Sequence, residues 1–271
     1  MNGQVETAER RASENYVLGN ADSVFCLYDV KISLWPILAT IGLGFLIFLP
    51  SAVVNGWMLQ RIGPERADTL PWVSNIVNHT VMLIISLVLL TWLSKRRPFE
   101  YGLRWPESRS YIRPALIWGV CFGILMTVVD YFPQIVAHVP PPDNLQLTPV
   151  NIAGWFFFEW FYVGPTEEIP FRGLLLTFLM QRVSGRVRFF RFDMHIAGVI
   201  LAVLFALAHM TSFWSENFLP AVGQQFYGFT LGIIYAYWRE KSGSLLAPIM
   251  GHNVSDGVEY SLMFLMTWLW G

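Results

Sequence analysis

The chain has 271 residues, of which 54% are hydrophobic, 16% aromatic and only 14% charged, a balance far from that of a water-soluble domain. Its formal net charge of -1 gives no case for nucleic-acid binding, and its two cysteines, Cys26 and Cys121, have neither metal-ligand spacing nor the pattern of a disulfide framework. The composition points to an all-α, polytopic membrane protein whose solvent is largely lipid.

Residues 1–33 carry Glu6, Glu9, Arg10, Arg11, Glu14, Asp22 and Asp29 without an apolar core of signal-peptide type, and are expected to stay on the protein as an exposed polar tail. From residue 34 to 271 the chain reads as one transmembrane domain. With roughly 20 apolar residues per span as the ruler, seven helical segments follow: Leu34 to Leu59, Val73 to Leu93, Ala115 to Val136, Ile152 to about Val183, Ile196 to Met210, Ala221 to Trp238 and Leu245 to Trp268. Stretches this long satisfy their backbone groups internally, whereas a barrel would show short alternating strands.

Basic residues set the orientation. Fifteen of the 18 Lys and Arg residues fall in the tail and in the loops after segments two, four and six, so these share one side, the cytoplasmic one. The fourth segment is anomalous, because about thirty residues at 1.5 Å each exceed the bilayer thickness and Gly164-Pro165 lies near its middle. That proline predicts a tilt or a break, with a second half-helix starting near Thr166 that would hold Glu167 and Glu168 in its first turn, a simple proline kink being the alternative.

The chemistry concentrates there. Thr166-Glu167-Glu168-Ile169-Pro170-Phe171-Arg172-Gly173 places two carboxylates and a guanidinium inside an apolar stretch, where insertion scales penalise each charge by about 2.5–3.5 kcal/mol. Glu168 and Arg172, four apart, share a helix face and are expected to pair. Glu167 points about 100° away without a local partner, which leaves it as the candidate general base. His209, at the end of Phe205-Ala206-Leu207-Ala208-His209, and the i,i+4 pair His252 and Asp256 add polar groups on two further segments. Asn75, Asn78, His79, Asp130 and Glu159 also lie at membrane depth; wall positions in a cavity and interhelical hydrogen bonding explain them equally well.

The ordered trio of a Glu-Glu-x-x-x-Arg segment, a Phe-x-x-x-His segment and a His-x-x-x-Asn/Asp segment resembles the CAAX-processing endopeptidases, also called CPBP intramembrane proteases, over about residues 152–268. Phe99-Glu100-Tyr101-Gly102-Leu103 resembles a less diagnostic element of the same family. The resemblance implies an intramembrane endopeptidase cutting near the C-terminus of membrane-embedded or lipid-anchored protein substrates. Glu167 and His209 would activate water, His252 and Asp256 would stabilise the oxyanion, and Glu168 and Arg172 would support them. Family members often carry Asn where Asp256 stands, and an ionised Asp only accepts hydrogen bonds, so that residue's donor role is in doubt. The family includes prenyl proteases, bacteriocin-immunity proteins and myxosortases; the compact chain without an organelle address suits a prokaryotic plasma membrane, N-terminus cytoplasmic.

No cofactor is expected. Glu167, His209, His252 and Asp256 are nonetheless acceptable Zn²⁺ ligands, so a zinc-dependent peptidase built on the same residues is the alternative, weakened by the missing His-Glu-x-x-His motif. From a different class, the same groups could serve a non-enzymatic transporter or immunity protein.

Overall fold

The computed structural model describes residues 25–271 except 96, 108, 143, 144, 211, 216 and 217. The expected polar tail up to residue 24 lies outside the described residues. Helix dominates, in seven principal elements: α1 (Leu34–Ile62), α2 (Pro71–Leu93), α3 (Ile112–Asp130), α4 (149–180), α5 (Ile196–Ala208), α6 (Phe218–Ser242) and α7 (Leu246–Trp270). Four stretches among the described residues are long and apolar enough to cross a membrane: α1, α2, α3 and Ile196–Trp214, which begins with α5. Of the other three principal helices, α4 carries Glu159, Glu167 and Glu168, α6 carries Gln224 and Gln225, and α7 carries His252 and Asp256.

Two expectations are corrected here. The chain is not all-α: Phe25–Lys31 forms β1, Ser184–Phe189 forms β2 and Phe192–His195 forms β3, in one antiparallel sheet of order β1-β2-β3. The end of the presumed tail is therefore an edge strand, with Cys26 opposite Arg188 and Leu27 opposite Val187. Nor does Gly164-Pro165 break α4. The helix runs on through two π-helical stretches, Phe158–Tyr162 and Ile169–Leu175, where the amides of Val163 and Leu176 bond carbonyls five residues back, at Phe158 and Phe171. The wider π turn absorbs the donors that Pro165 and Pro170 lack, and such bulges recur at functional sites.

α4 is the central helix. Phe171, Leu175, Leu176 and Leu179 pack with α5 and the sheet, Ile169 and Leu174 with α1 and α2, and Trp155, Phe158 and Val163 with Met263 of α7. Against α3, α7 approaches backbone to backbone: a Cβ at Gly119 would lie 2.9 Å from the carbonyl oxygen of Gly251, and one at Gly123 would lie 2.5 Å from that of Ser255. This small-residue contact fixes the helix that carries His252 and Asp256.

The basic loops gather at one end. Arg104 Nε donates to Gly243 O at 2.9 Å, Arg239 Nη2 donates to Glu100 O at 3.0 Å, and the Leu245 amide donates to Gly102 O at 3.0 Å. The Phe99–Leu103 element is thus a clamp between α6 and α7 rather than part of the site, and Gly102, at φ +90°, leaves room for the Arg239 side chain.

At the same end Arg186 Nε donates to Asp193 Oδ1 at 2.5 Å and Nη2 to Glu240 Oε1 at 2.8 Å, while Tyr28 donates to Asp193 Oδ2. Burial pushes the Asp193 carboxyl up, but the Tyr28 hydroxyl and the Arg186 guanidinium outweigh it and hold the group below the usual carboxylate range. A lowered folded value means stabilisation that is present above the unfolded pKa of about 4 and lost as pH falls through the folded one. Amide protection factors in β1, taken relative to the intrinsic exchange rate at each pH, should therefore fall in acid below about pH 4, and Asp193→Asn should flatten that response; equal acid sensitivity in both proteins would contradict it.

Candidate active site

Four helices bring the polar groups together. On α4, one α-helical turn between the two π stretches carries Glu167 and Glu168 on different faces. Glu168 is fully buried and its Oε1 accepts from Arg172 Nη1 at 2.8 Å, the expected i,i+4 pair. The same oxygen lies 2.8 Å from His252 Nδ1, a second contact that the sequence did not reveal. Because a carboxylate accepts and cannot donate, this contact places a proton on Nδ1.

Arg172 is 1% exposed, and its Nε and Nη2 have no hydrogen-bond partner among the described residues. Its guanidinium instead lies over aromatic faces, 4.3 Å from the Phe205 ring centroid and 5.5 Å from that of Tyr235, an arrangement that stabilises a desolvated cation. Tyr235 in turn stacks on the His252 ring at 5.9 Å. Glu168, Arg172 and Tyr235 thus fix the imidazole from one edge and one face.

At its other edge His252 Nε2 lies 3.3 Å from Asp256 Oδ2 and 3.7 Å from Glu167 Oε2. Asp256 Oδ1 lies 3.0 Å from Ser255 Oγ, whose hydroxyl also donates to His252 O at 2.8 Å. Asn253, on another face of α7, accepts the Gly164 amide at 2.7 Å and ties α7 to α4 beside the π stretch.

Glu167 finds its partners on other helices. Besides His252, Oε1 lies 3.9 Å from Nε2 of His79 on α2. Thr166 Oγ1 donates to backbone carbonyls of its own helix, at 2.9 Å to Tyr162 and 2.8 Å to Val163, which leaves it to accept from His79 Nδ1 at 2.9 Å. The ring of His79 is therefore held with Nε2 toward Glu167. Sequence reading left His79 unassigned among the polar residues of α2; its partner lies on a helix distant in the chain, and only its membrane depth marked it.

His209 stands at the end of α5. Its Nδ1 donates to Phe205 O at 2.9 Å, so in the neutral ring Nε2 carries the lone pair. It makes no ion pair with Glu167, yet both line one cavity of about 910 Å³, together with His79, Glu159, His252 and Asp256. The cavity runs past Asp130, Gln134, Pro142 and Pro220, away from the end where the basic loops gather. Of the sequence candidates, Glu167, Glu168, Arg172, His252 and Asp256 form one contact network, and His209 faces the same cavity without joining it.

Residues 149–258 match the family model described as type II CAAX prenyl endopeptidase, Rce1-like. This stretch is a CAAX endopeptidase family domain. It holds all six sequence candidates, from Glu167 on α4 to Asp256 on α7, whereas His79 lies outside it. No curated protein and no solved structure is matched by the chain. Among the described residues, no three His, Cys, Asp or Glu side chains stand grouped as a metal-ligand set. What the arrangement offers instead is a carboxylate flanked by imidazoles on the wall of a cavity inside an apolar bundle.

Proposed function

We propose that this protein is a metal-independent intramembrane endopeptidase that hydrolyses a peptide bond near the C-terminus of a membrane-associated or lipidated protein. The observation that carries this reading is the setting of Glu167, whose carboxylate stands on a cavity wall between His79 at 3.9 Å and His252 at 3.7 Å, with His209 on the same cavity. Water held by Glu167 and His209 attacks the carbonyl carbon and gives a proton to the Glu167 carboxylate; His209 Nε2 accepts a hydrogen bond from the same water. As the tetrahedral intermediate forms, His252 donates from Nε2 to the oxyanion. Collapse breaks the carbon–nitrogen bond, and the proton on Glu167 passes to the leaving amine, so acid and amine are released and the carboxylate is restored.

Asp256 enters this scheme differently from a donor. Its Oδ2 lies 3.3 Å from His252 Nε2, so Asp256 is the resting acceptor for the Nε2 proton, which turns to the oxyanion as the intermediate forms. Glu168 and Arg172 fix the far nitrogen of the same ring.

All seven principal helices are proposed to span the membrane, with the basic loops cytoplasmic and the chain in a prokaryotic plasma membrane. α4, α6 and α7 each place polar groups on the cavity, among them Glu167, Gln224 and His252, and functional charges at membrane depth commonly face such cavities. In this orientation substrate reaches Glu167 from the face opposite the basic loops.

The test is direct. Purified protein in liposomes, incubated with membrane-anchored C-terminal peptides, should release a product that mass spectrometry places at one peptide bond, with equal yield before and after exhaustive chelation. Loss of activity on chelation with recovery on added Zn²⁺ would move the assignment to the zinc enzyme, and solute flux without any cut would move it to a transporter.

A further inference from the structure

Glu159 has no part in the chemistry just described, yet it is 4% exposed, lines the same cavity and has no hydrogen-bond partner among the described residues. Every other carboxylate in the wall is engaged: Glu167 by two histidines, Asp256 by His252 and Ser255, and Asp130 by the Tyr227 hydroxyl at 3.4 Å. Glu259 also lines the wall and is not without a partner, so among the described residues five carboxylates face the cavity and no Lys or Arg does. A carboxylate set this deep in an apolar bundle without a partner is costly and marks a function, and here the missing partner is a cation that the protein itself does not supply.

We infer that Glu159 receives a positively charged side chain of the substrate, so that the peptidase selects segments carrying a Lys or Arg close to the bond it cuts. The inference rests on the peptidase reading for the word substrate, but the recognition is a matter of binding. Glu159 precedes Glu167 by eight residues on α4, about 12 Å at 1.5 Å per residue. An extended peptide advances about 3.3 Å per residue, which puts the basic residue about three or four positions from the scissile bond. Glu159 lies on the N-terminal side of Glu167 along α4, in a cavity that Asp130 and Gln134 also line, so the charge occupies the outer part of the bound segment. A wall this acidic also disfavours a substrate whose free C-terminal carboxylate must lie in the outer part of the cavity.

The experiment is a lipid-anchored peptide in which a single Arg is walked along the sequence, each version compared with the same peptide carrying Gln, for affinity and for cleavage by the full-length protein in lipid nanodiscs. At one register Arg should bind at least about tenfold more tightly than Gln. Glu159→Gln should erase that ratio, and Glu159→Asp should retain most of it. Equal affinities at every register in the wild-type protein, which need no variant to fold, would overturn the inference, as would a preference that survives in Glu159→Gln. Cleavage without any charge preference would leave the peptidase reading standing and remove this one. A charge preference lost in Glu159→Gln but without cleavage would do the reverse.

Discussion

Glu167→Gln should lower peptide cleavage by about 10²–10⁴-fold, the usual contribution of a positioned general base, while leaving the protein folded. The substitution keeps the size and shape of the side chain, so contacts in the cavity wall persist. It removes the proton-accepting oxygen pair that stands 3.9 Å from His79 and 3.7 Å from His252. An amide in that position still binds water but cannot take its proton. Binding of an uncleaved substrate should change little, so the loss falls on kcat. A variant that cuts at a rate within a few fold of the wild type would remove Glu167 from the role of base.

Arg172→Leu should destabilise the fold by about 3–5 kcal/mol, because removing one member of a buried pair leaves the other charge uncompensated. Glu168 is fully buried and one of its oxygens, Oε2, already lacks a partner among the described residues. Without the guanidinium, the carboxylate retains only His252 Nδ1 at 2.8 Å. Replacing both residues by leucine should restore much of the lost stability, since the desolvated charges disappear together. It should not restore activity, because His252 then has nothing to hold its Nδ1 edge. Thermal unfolding in detergent and cleavage in lipid, measured on both variants, separate the two effects. Full activity in the double variant would mean that the pair supports packing alone.

The apolar helices and the three motif segments of the family were legible because each rests on local pattern: long apolar stretches, and charges at i,i+4 spacing within them. The Glu168–Arg172 pair followed from helix geometry and stands at 2.8 Å. What local pattern missed is tertiary. The proline in Gly164-Pro165 signals a missing donor, and a break and a π turn satisfy that signal equally well at the level of sequence; packing of α4 against α2 and α7 selects the continuous helix. The sheet escaped notice because β2 and β3 turn at Phe190-Arg191, which lacks the Asn-Gly signature of a tight hairpin, and β1 belongs to a tail whose strand partner lies 160 residues away. His79 was visible only as a polar residue at membrane depth, since the groups that give it meaning, Thr166 and Glu167, lie on another helix.

The most direct measurement is an experimental structure in lipid at a resolution that shows ordered water in the cavity. One water should bond the Glu167 carboxylate and lie within hydrogen-bond reach of His209 Nε2, with His252 Nε2 directed at the space beside it. Side chains of Glu167 and His209 turned to separate regions, with no water able to touch both, would contradict the proposed hydrolytic centre.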